Sequence, residues 1–281
     1  MTAPGPDRRP DRAPGASARA LVELRDDRVV KTQDPAIARV EAEKSRLGAE
    51  IGERCGLFAV PRLLSQDPEA GRLVFAKVPG LRPLRALLGQ PGWQARCDRA
   101  AAALVEIHAA LRLPGELARR LPATLDGELS PVFLHGDYSP TNLQVQEGSD
   151  QLWILDWSAP AWLPPLATQG APSLDLAAFV LPLFWQRPGD PLAVPRPELR
   201  AERFLRAWAA KTGLPLGPVI RHAQRLSPER QAYAASLLGP LGRLLRLPMQ
   251  GRSWHFLRGF AAQTEGDEPG PQGPIPGENS R

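Results

Sequence analysis

Apolar and polar residues near the start of the chain alternate in a way that predicts a β-hairpin followed by a helix. The segment ALVELRDDRVVKTQ has two short apolar runs on either side of residues 25–27, which is typical of a hairpin, and Lys31 falls on its second strand. Asp34 and Pro35 then supply an N-cap and a first helical residue, and the helical periodicity continues as far as Gly56.

The apolar stripe of this helix indicates which of its acidic residues faces the interior. The stripe consists of Ile37, Val40, Leu47 and Ile51. Glu43 lies near the stripe, whereas Glu41 is about 100° around the helix from Val40, the angle between successive helical residues. We therefore expect Glu43 to be the inward acidic residue and Glu41 to point more towards solvent, with Glu41 as the competing candidate.

The rest of the chain predicts a strand, a long helix, a second hairpin and then mainly helices. The strand in RLVFAKVPG stops at Pro79 and Gly80, a natural hinge, and a helix spans about 93–112. A short apolar segment leads into HGDYSPTN, after which LQVQ and LWIL form a hairpin that ends at Asp156. Later helices are expected after Ser173, from Glu198 to Thr212 and from Ser227 onward.

These elements predict an α+β fold with a small, β-rich N-terminal lobe and a larger, mainly helical C-terminal lobe. The expected bounds are 21–78 for the first lobe and 79–263 for the second, because no repeat or long polar linker separates independent domains. Residues 1–20 and 264–281 each hold four prolines and almost no large apolar side chain, so both ends are predicted to be disordered.

Composition narrows the class of protein. Two cysteines, Cys55 and Cys97, are too few for a disulfide framework or a thiolate zinc site. No segment is apolar enough for a transmembrane helix or a signal peptide, which predicts a soluble, cytoplasmic protein without a membrane partner. The net charge is +5, but 31 of the 35 basic residues are scattered arginines. No nucleic-acid partner is therefore expected, because such partners favour clustered cations. The sequence does not indicate an oligomeric state.

A set of polar residues lies at the ends of the second predicted hairpin. Asp137 precedes Asn142 by five residues, and Asp156 follows after the two strands, so the three side chains can converge at one end of the hairpin. Phosphoryl transfer needs an acceptor for the substrate hydroxyl proton and hard oxygen ligands for Mg²⁺. Asp137 could supply the first, and Asn142 with Asp156 the second.

The motifs HGDYSPTN and ILDW resemble those of the aminoglycoside phosphotransferase and choline kinase family, which is related to the protein kinases. Further matches are VVK, the Glu43 to Leu47 step, VPG, IH and DLA at Asp175, which together span about 30–180. The resemblance implies a bilobal, protein-kinase-like fold, ATP and Mg²⁺ as cofactors, and transfer of the γ-phosphate to a hydroxyl of a small-molecule acceptor.

The same resemblance implies roles for individual residues. Asp137 corresponds to the catalytic base, and Asn142 and Asp156 correspond to the magnesium ligands. Lys31 would bind the ATP phosphates and pair with Glu43. The resemblance also implies that His135 and Asp175 support the catalytic loop. The backbone of the hinge, at Phe75, Lys77 and Val78, would bind the adenine.

Family members also carry a strand and a flexible phosphate-covering loop before this hairpin. Here only about twelve predicted ordered residues precede Lys31, and residues 14–17 are the candidate for the loop. A module of the same fold that binds nucleotide with little turnover is therefore the alternative function.

The charge of the C-terminal half bears on the acceptor. Residues 187–263 contain thirteen Lys and Arg against four Asp and Glu, a net charge of +9. A field of this sign repels polycations such as aminoglycosides, which predicts a neutral or anionic acceptor. The alternative is that these arginines form solvated helix faces away from the pocket.

Overall fold

Four antiparallel strands form the sheet that carries Lys31. The computed structural model describes residues 20–122, 129–158, 163–164, 166–184, 193–236 and 239–266. The strands are β1 (Ala20–Leu24), β2 (Arg28–Gln33), β3 (Leu63–Asp67) and β4 (Arg72–Ala76), in the order β1-β2-β4-β3. Lys31 on β2 is paired with Val22 on β1 and with Leu73 on β4, so it lies in the interior of the sheet. The predicted hairpin and the strand in RLVFAKVPG are confirmed.

Helix α1 (Pro35–Cys55) follows β2 directly. The side chain of Asp34 accepts hydrogen bonds from the backbone N–H groups of Ala36 and Ile37, at 2.8 and 3.4 Å, which satisfies donors that have no partner within the helix. Gly56 ends the helix in the left-handed conformation, with φ of 68°, a geometry that glycine adopts without steric cost. Both predicted boundaries of this helix are confirmed.

A second sheet has three strands, and the motif residues Asn142 and Asp156 lie at its end. Its strands are β5 (Leu81–Pro83), β7 (Leu143–Gln146) and β8 (Leu152–Ile154), in the order β5-β7-β8. Two short strands, β6 (Val132–Phe133) and β9 (Gln169–Gly170), pair separately. The helices beside these strands are α2 (Leu84–Leu87) and α3 (Trp93–Ala110), and a 3₁₀ turn covers Gly115–Leu117.

The remaining regular elements of the described chain are helices, as predicted. They are α4 (Ser173–Leu183), α5 (Pro197–Thr212), α6 (Leu216–Ser236) and α7 (Gly239–Gly266). Helices α3, α4 and α5 contribute to one apolar core, which includes the stacked rings of Phe179 and Phe204 at 3.7 Å. A helix beginning at Ser227 was a wrong prediction, because α6 starts at Leu216 and continues through Pro228.

Helix α1 approaches the chain that follows β8 through a glycine. A Cβ atom on Gly48 would lie 2.5 Å from the ring of Trp157, which is itself 1% exposed. Any larger residue at this position would have to push the helix away from the chain that follows β8. Gly48 therefore sets how closely α1 approaches the larger lobe.

Some predictions lie outside what the structure describes. Residues 1–19 and 267–281, including the candidate loop 14–17, are outside the described residues, while Ala20 belongs to β1 and Thr264 to α7. The lobe boundary at residue 78 stays a prediction. Among the described helices, none is both long enough and apolar enough to cross a membrane. A cytoplasmic location also stays a prediction.

Gly48→Ala should destabilise the protein although alanine favours helices. The added methyl group would overlap the Trp157 ring, and such overpacking lowers the free energy of unfolding by about 1–3 kcal/mol. Gly259→Ala on α7 is the matched control, because its Cβ would meet nothing within 4 Å. It should raise the free energy of unfolding by about 0.5–1 kcal/mol. Urea unfolding measures both changes, and equal effects would contradict the role given to Gly48.

Candidate active site

Three charged side chains, one each from β2, α1 and the chain beyond β8, meet around Lys31. The Nζ of Lys31 lies 2.8 Å from Glu41 Oε2 on α1 and 2.7 Å from Asp156 Oδ1 beyond β8. Burial opposes the charge on Lys31, but the two carboxylates outweigh it and raise the pKa of Lys31 above its ordinary value. Burial also works against the Asp156 carboxylate, yet Lys31 holds the pKa of Asp156 below its usual range. Lys31 and Asp156 are therefore both charged at neutral pH.

The prediction that Glu43 pairs with Lys31 is wrong, and so is the prediction that Glu41 faces solvent. Glu41 is 2% exposed, whereas Glu43 pairs with Arg46 on the outer side of α1. The apolar stripe was misleading because α1 packs against both the sheet and the larger lobe. Its buried arc is consequently wide enough to include polar residues.

Two neutral side chains that the sequence did not single out complete this cluster. Gln33 lies two residues after Lys31 on the same face of β2, and its amide donates to Glu41 Oε2 at 2.5 Å. Ser158 donates its hydroxyl hydrogen to Asp156 Oδ1 at 2.6 Å and lies 3.4 Å from Lys31 Nζ. The period of two along β2 could have indicated Gln33, but no local pattern indicates Ser158.

Asp156 has an unusual backbone conformation. Its φ is 54°, in the left-handed region, where a residue other than glycine incurs a cost of about 1–2 kcal/mol. The contacts from Lys31 and Ser158 hold its carboxylate in place and offset this cost.

The carboxylate of Asp175 supports the backbone of the HGD loop, residues 135–142. The two oxygens of this carboxylate accept hydrogen bonds from the backbone N–H groups of His135 and Gly136, both at 2.8 Å. Gly136 has φ of 104°, which only glycine adopts readily. The sequence therefore needs glycine between His135 and Asp137 for the loop to turn over Asp175.

His108 on α3 contacts the other side of Asp175, with 3.0 Å between its Nε2 and Asp175 Oδ2. Burial favours the neutral form of Asp175, but the hydrogen bonds from His108 and Gly136 keep the pKa of this carboxyl below its usual value. His108 is both buried and bonded to the group that supports the HGD loop. The IH motif was the signal that could have found it.

Asp137 and Asn142 face each other across the HGD loop. The Nδ2 of Asn142 donates to the backbone oxygen of Asp137 at 3.0 Å and to its Oδ2 at 2.9 Å. Because the amide nitrogen is used in this way, the carbonyl oxygen Oδ1 of Asn142 is directed away from Asp137. Asp137 is therefore fixed by a neighbour whose own oxygen can bind a cation.

The second hairpin brings Asn142 close to Asp156, as predicted from its spacing. Leu143 is paired with Ile154, and the N–H of Leu155 donates to the carbonyl of Asn142 at 3.0 Å. An amide oxygen and a carboxylate are ligands that Mg²⁺ accepts when phosphate oxygens and water complete its shell. Within the described part of the chain, no three His, Cys, Asp or Glu side chains could hold a metal by themselves. The residues present thus fit Mg²⁺ that arrives with phosphates rather than a metal bound by protein alone.

His135 is a buried, neutral part of the same loop. Its Nδ1 accepts the N–H of Asp137 at 3.2 Å, and its ring packs 4.6 Å from that of Trp157. Burial lowers the pKa of His135 to about 3, although Asp175 pulls the other way. The imidazole consequently acts as a hydrogen-bond acceptor at neutral pH.

An open cleft of about 400 Å³ lies between the two lobes. Lys31, Glu41, Asn142 and Asp156 lie along it, and so do the predicted hinge residues Phe75, Lys77 and Val78. The backbone N–H of Ala76 already donates to the backbone carbonyl of Arg62 at 2.8 Å, and that of Lys77 donates to the backbone carbonyl of Asp27 at 3.0 Å. A donor role for the Lys77 N–H is therefore not supported. No backbone hydrogen bond within the described residues uses the N–H of Val78.

Lys44 is a second lysine that the sequence did not indicate as functional. It lies on α1, is 1% exposed and donates from Nζ to the backbone oxygen of His135. Burial lowers the pKa of Lys44 to about 8, and Asp175, Glu41 and Asp156 limit the decrease. The signal available in the sequence was the position of Lys44 three residues after Glu41, on the same face of the helix.

Solved kinase structures have a similar overall fold. A choline/ethanolamine kinase family protein from Mesorhizobium loti aligns with 89% of this chain and 89% of its own, with a TM-score of 0.56 and 17% identity. The choline kinase LicA from Streptococcus pneumoniae covers 88% of this chain and 92% of its own, at a TM-score of 0.51 and 12% identity. This chain has the fold of these kinases.

A third structure with the same kinase fold is the GDP complex of aminoglycoside 2'-phosphotransferase-IIIa. It covers 89% of this chain and 91% of its own, with a TM-score of 0.52 and 16% identity. The resemblance indicated by HGDYSPTN and ILDW, and the bilobal α+β fold, are confirmed. No protein-family model and no curated protein sequence matches the chain.

The buried His135 should make the kinase fold sensitive to acid. Its pKa is about 3 in the folded chain, against an ordinary value near 6.5, so only the unfolded chain gains its proton as the pH falls below 6.5. Stability present above pH 6.5 is lost as the pH falls towards 3. Between pH 7 and pH 5 this histidine should lower the free energy of unfolding by about 2 kcal/mol.

Urea unfolding at several pH values measures this effect. His135→Asn keeps a hydrogen-bond acceptor near the position of Nδ1 but cannot titrate, so it should lose that part of the pH dependence. His255→Asn, at an exposed histidine, is the control and should keep it. An identical pH dependence in His135→Asn and the native protein would show that the histidine is not held neutral by burial.

Proposed function

We propose that this chain is an ATP-dependent small-molecule phosphotransferase that moves the γ-phosphate of ATP to an acceptor hydroxyl with Mg²⁺. The observation that carries the proposal is the convergence of Lys31, Asp156 and Asn142 along one cleft, where the amide of Asn142 also binds the Asp137 carboxylate. Phosphoryl transfer depends on positioning and charge neutralisation, and these are the groups that provide both. The kinases of the same fold include complexes with AMP and GDP, which agrees with a nucleotide in the cleft.

The nucleotide would lie with its adenine at the hinge and its phosphates at Lys31. The apolar side chains of Val29 and Phe75 line the hinge side of the cleft, and the N–H of Val78 is the candidate donor to the adenine edge. Lys31 would bind the phosphates while Glu41, supported by Gln33, holds its ammonium in place. A lysine has a flexible stem, so it needs such a partner to act at a defined position.

Asn142 Oδ1 and the Asp156 carboxylate are the proposed ligands of Mg²⁺. When bound, Mg²⁺ neutralises charge on the phosphate oxygens. Asp156 is now in contact with Lys31, so nucleotide phosphates would take over part of the Lys31 charge and leave the carboxylate to the cation. In this proposal, the contact between Lys31 and Asp156 keeps both charges paired until the nucleotide and Mg²⁺ bind.

Asp137 is the proposed catalytic base. The acceptor oxygen would form a bond to the γ-phosphorus while the bond from phosphorus to the ADP oxygen breaks. The acceptor proton would pass to the Asp137 carboxylate, which Asn142 orients through its amide. His135 and Asp175 would act as supports, because they bond to the backbone of the HGD loop rather than to the cleft.

A thermal unfolding scan with ATP and Mg²⁺ tests the nucleotide site without an acceptor. At a ligand concentration of one hundred times Kd, binding adds about 2.7 kcal/mol, which raises Tm by about 5–10 °C in a domain of this size. The increase should require Mg²⁺, and Asp156→Ala should reduce it. A folded protein with no shift would contradict the proposed nucleotide site.

Asp137→Asn separates chemistry from binding in the same assay. The amide cannot accept the acceptor proton, so transfer should fall by about 10²–10⁴-fold while the Mg-ATP shift in Tm is kept. Radiolabelled transfer to water or to an added alcohol measures turnover. If the native protein binds nucleotide with no transfer that depends on Asp137, the alternative of a binding or regulatory module is correct.

We also propose that the acceptor is neutral or anionic. The support is the net charge of +9 in residues 187–263. Arg203, Arg206 and Arg252 pair with Asp98, Glu202 and Glu198, but two of these carboxylates are already counted in that charge. Pairing within the larger lobe therefore leaves most of its positive charge in place.

Turnover of a charge series tests this acceptor class. A neutral sugar or a phosphorylated sugar alcohol should have kcat/KM at least about tenfold above that of kanamycin, because a positive field slows the approach of a polycation. Higher ionic strength should reduce that difference by screening the field. Efficient turnover of kanamycin at micromolar concentration would overturn the assignment.

A further inference from the structure

Lys44 is a buried charged residue that the proposed reaction does not use. It is on α1, three residues after Glu41, and its side chain reaches the larger lobe. Its Nζ donates to the backbone oxygen of His135, two residues before Asp137. Burying an ammonium is unfavourable unless it is paired and hydrogen-bonded, so a lysine here indicates a specific interaction rather than filling of space.

The backbone of His135 is bound from both lobes. Its N–H donates to Asp175 on α4, at 2.8 Å, and its carbonyl accepts from Lys44 on α1. Its ring nitrogen in turn accepts the N–H of Asp137. His135 is consequently the residue through which a contact made by α1 reaches the backbone of Asp137.

The same turn of α1 also binds Lys31. Glu41 and Lys44 are separated by three residues, a spacing that places them on neighbouring positions of one helix face. Glu41 contacts Lys31 at 2.8 Å, so one face of α1 holds both the lysine proposed for the phosphates and the start of the HGD loop. A shift of α1 along or around its axis would disturb both contacts together.

We propose that Lys44 is a positioning residue that couples helix α1 to the HGD loop, so that α1 aligns Asp137 for transfer at the same time as it aligns Lys31. This inference rests on the proposed function. Lys44 acts through the His135 carbonyl and does not contact the nucleotide cleft itself, since it is not among the residues that line it. Its loss should therefore affect turnover rather than nucleotide affinity.

Lys44→Met tests the coupling, because methionine fills a similar space without a donor. Arg46→Met is the matched control, since Arg46 is on the same helix but pairs with Glu43 and Glu50 on the exposed side. Water serves as the acceptor in a single-turnover assay of Mg-ATP hydrolysis, and Asp137→Asn marks the level of complete loss. Lys44→Met should lower the rate by about 10–100-fold and change the Kd for Mg-ATP less than about threefold.

Hydrogen exchange of the peptide that contains residues 134–139 provides a readout that does not depend on activity. Exchange of the Gly136 and Asp137 amides should be at least about tenfold faster in Lys44→Met than in Arg46→Met, because their loop loses one of its anchors. If Lys44→Met does not fold, Lys44→Gln, which keeps a shorter donor, should show an intermediate rate of exchange.

The outcomes distinguish this inference from the proposed function. A native protein that neither binds nor hydrolyses Mg-ATP contradicts the proposed function, and hydrogen exchange then still decides whether Lys44 anchors the loop. Unchanged exchange, or hydrolysis within twofold of the native rate in folded Lys44→Met, overturns the inference. An equal loss of affinity and rate also overturns it, because Lys44 would then act on the nucleotide site.

Discussion

The ammonium group of Lys31 is the point on which the site depends. It comes from the middle of a sheet, and it binds one carboxylate from α1 and another from the end of β8. Without it, the carboxyl groups of Glu41 and Asp156 would lose the cation that both of them contact, and removing one partner of a buried ion pair is strongly destabilising. The lysine therefore holds together the sheet, the helix and the second hairpin. A cation with two anionic partners can also release one of them to a ligand and remain paired with the other.

Helix α1 transmits this arrangement to the larger lobe. Gly48 lets the helix approach Trp157, and Lys44 binds the carbonyl of His135. Gly48 makes its contact because it has no side chain, whereas Lys44 makes its contact through a long, charged side chain. Together they define the distance and the rotation of the helix relative to the HGD loop. In the proposed function, nucleotide binding at Lys31 and chemistry at Asp137 would thus be linked through helix α1.

Hydrogen bonds to side chains hold the backbone N–H groups of the HGD loop in place. Asp175 accepts two N–H groups and His108 steadies the same carboxylate. His135 accepts the N–H of Asp137, and Asn142 binds its side chain. Such a loop holds the Asp137 carboxylate in one orientation, so little further ordering would be needed when a substrate binds. The buried histidine should make the same region sensitive to acid, because the burial that fixes its position also lowers its pKa.

The sequence by itself determined the elements and the motif residues. The cap at Asp34, the stop at Gly56, the hairpin that ends at Asp156 and the order HGDYSPTN all follow from local periodicity and turn chemistry, and these are short-range properties. The tertiary structure decided which partner each charge has. Glu41 instead of Glu43 binds Lys31, and Gln33, Lys44, His108 and Ser158 join the site, because the face that a helix buries depends on everything packed around it. The periodicity of one helix does not contain the contacts that the helix makes with residues far away in the sequence, such as the contact of Lys44 with His135.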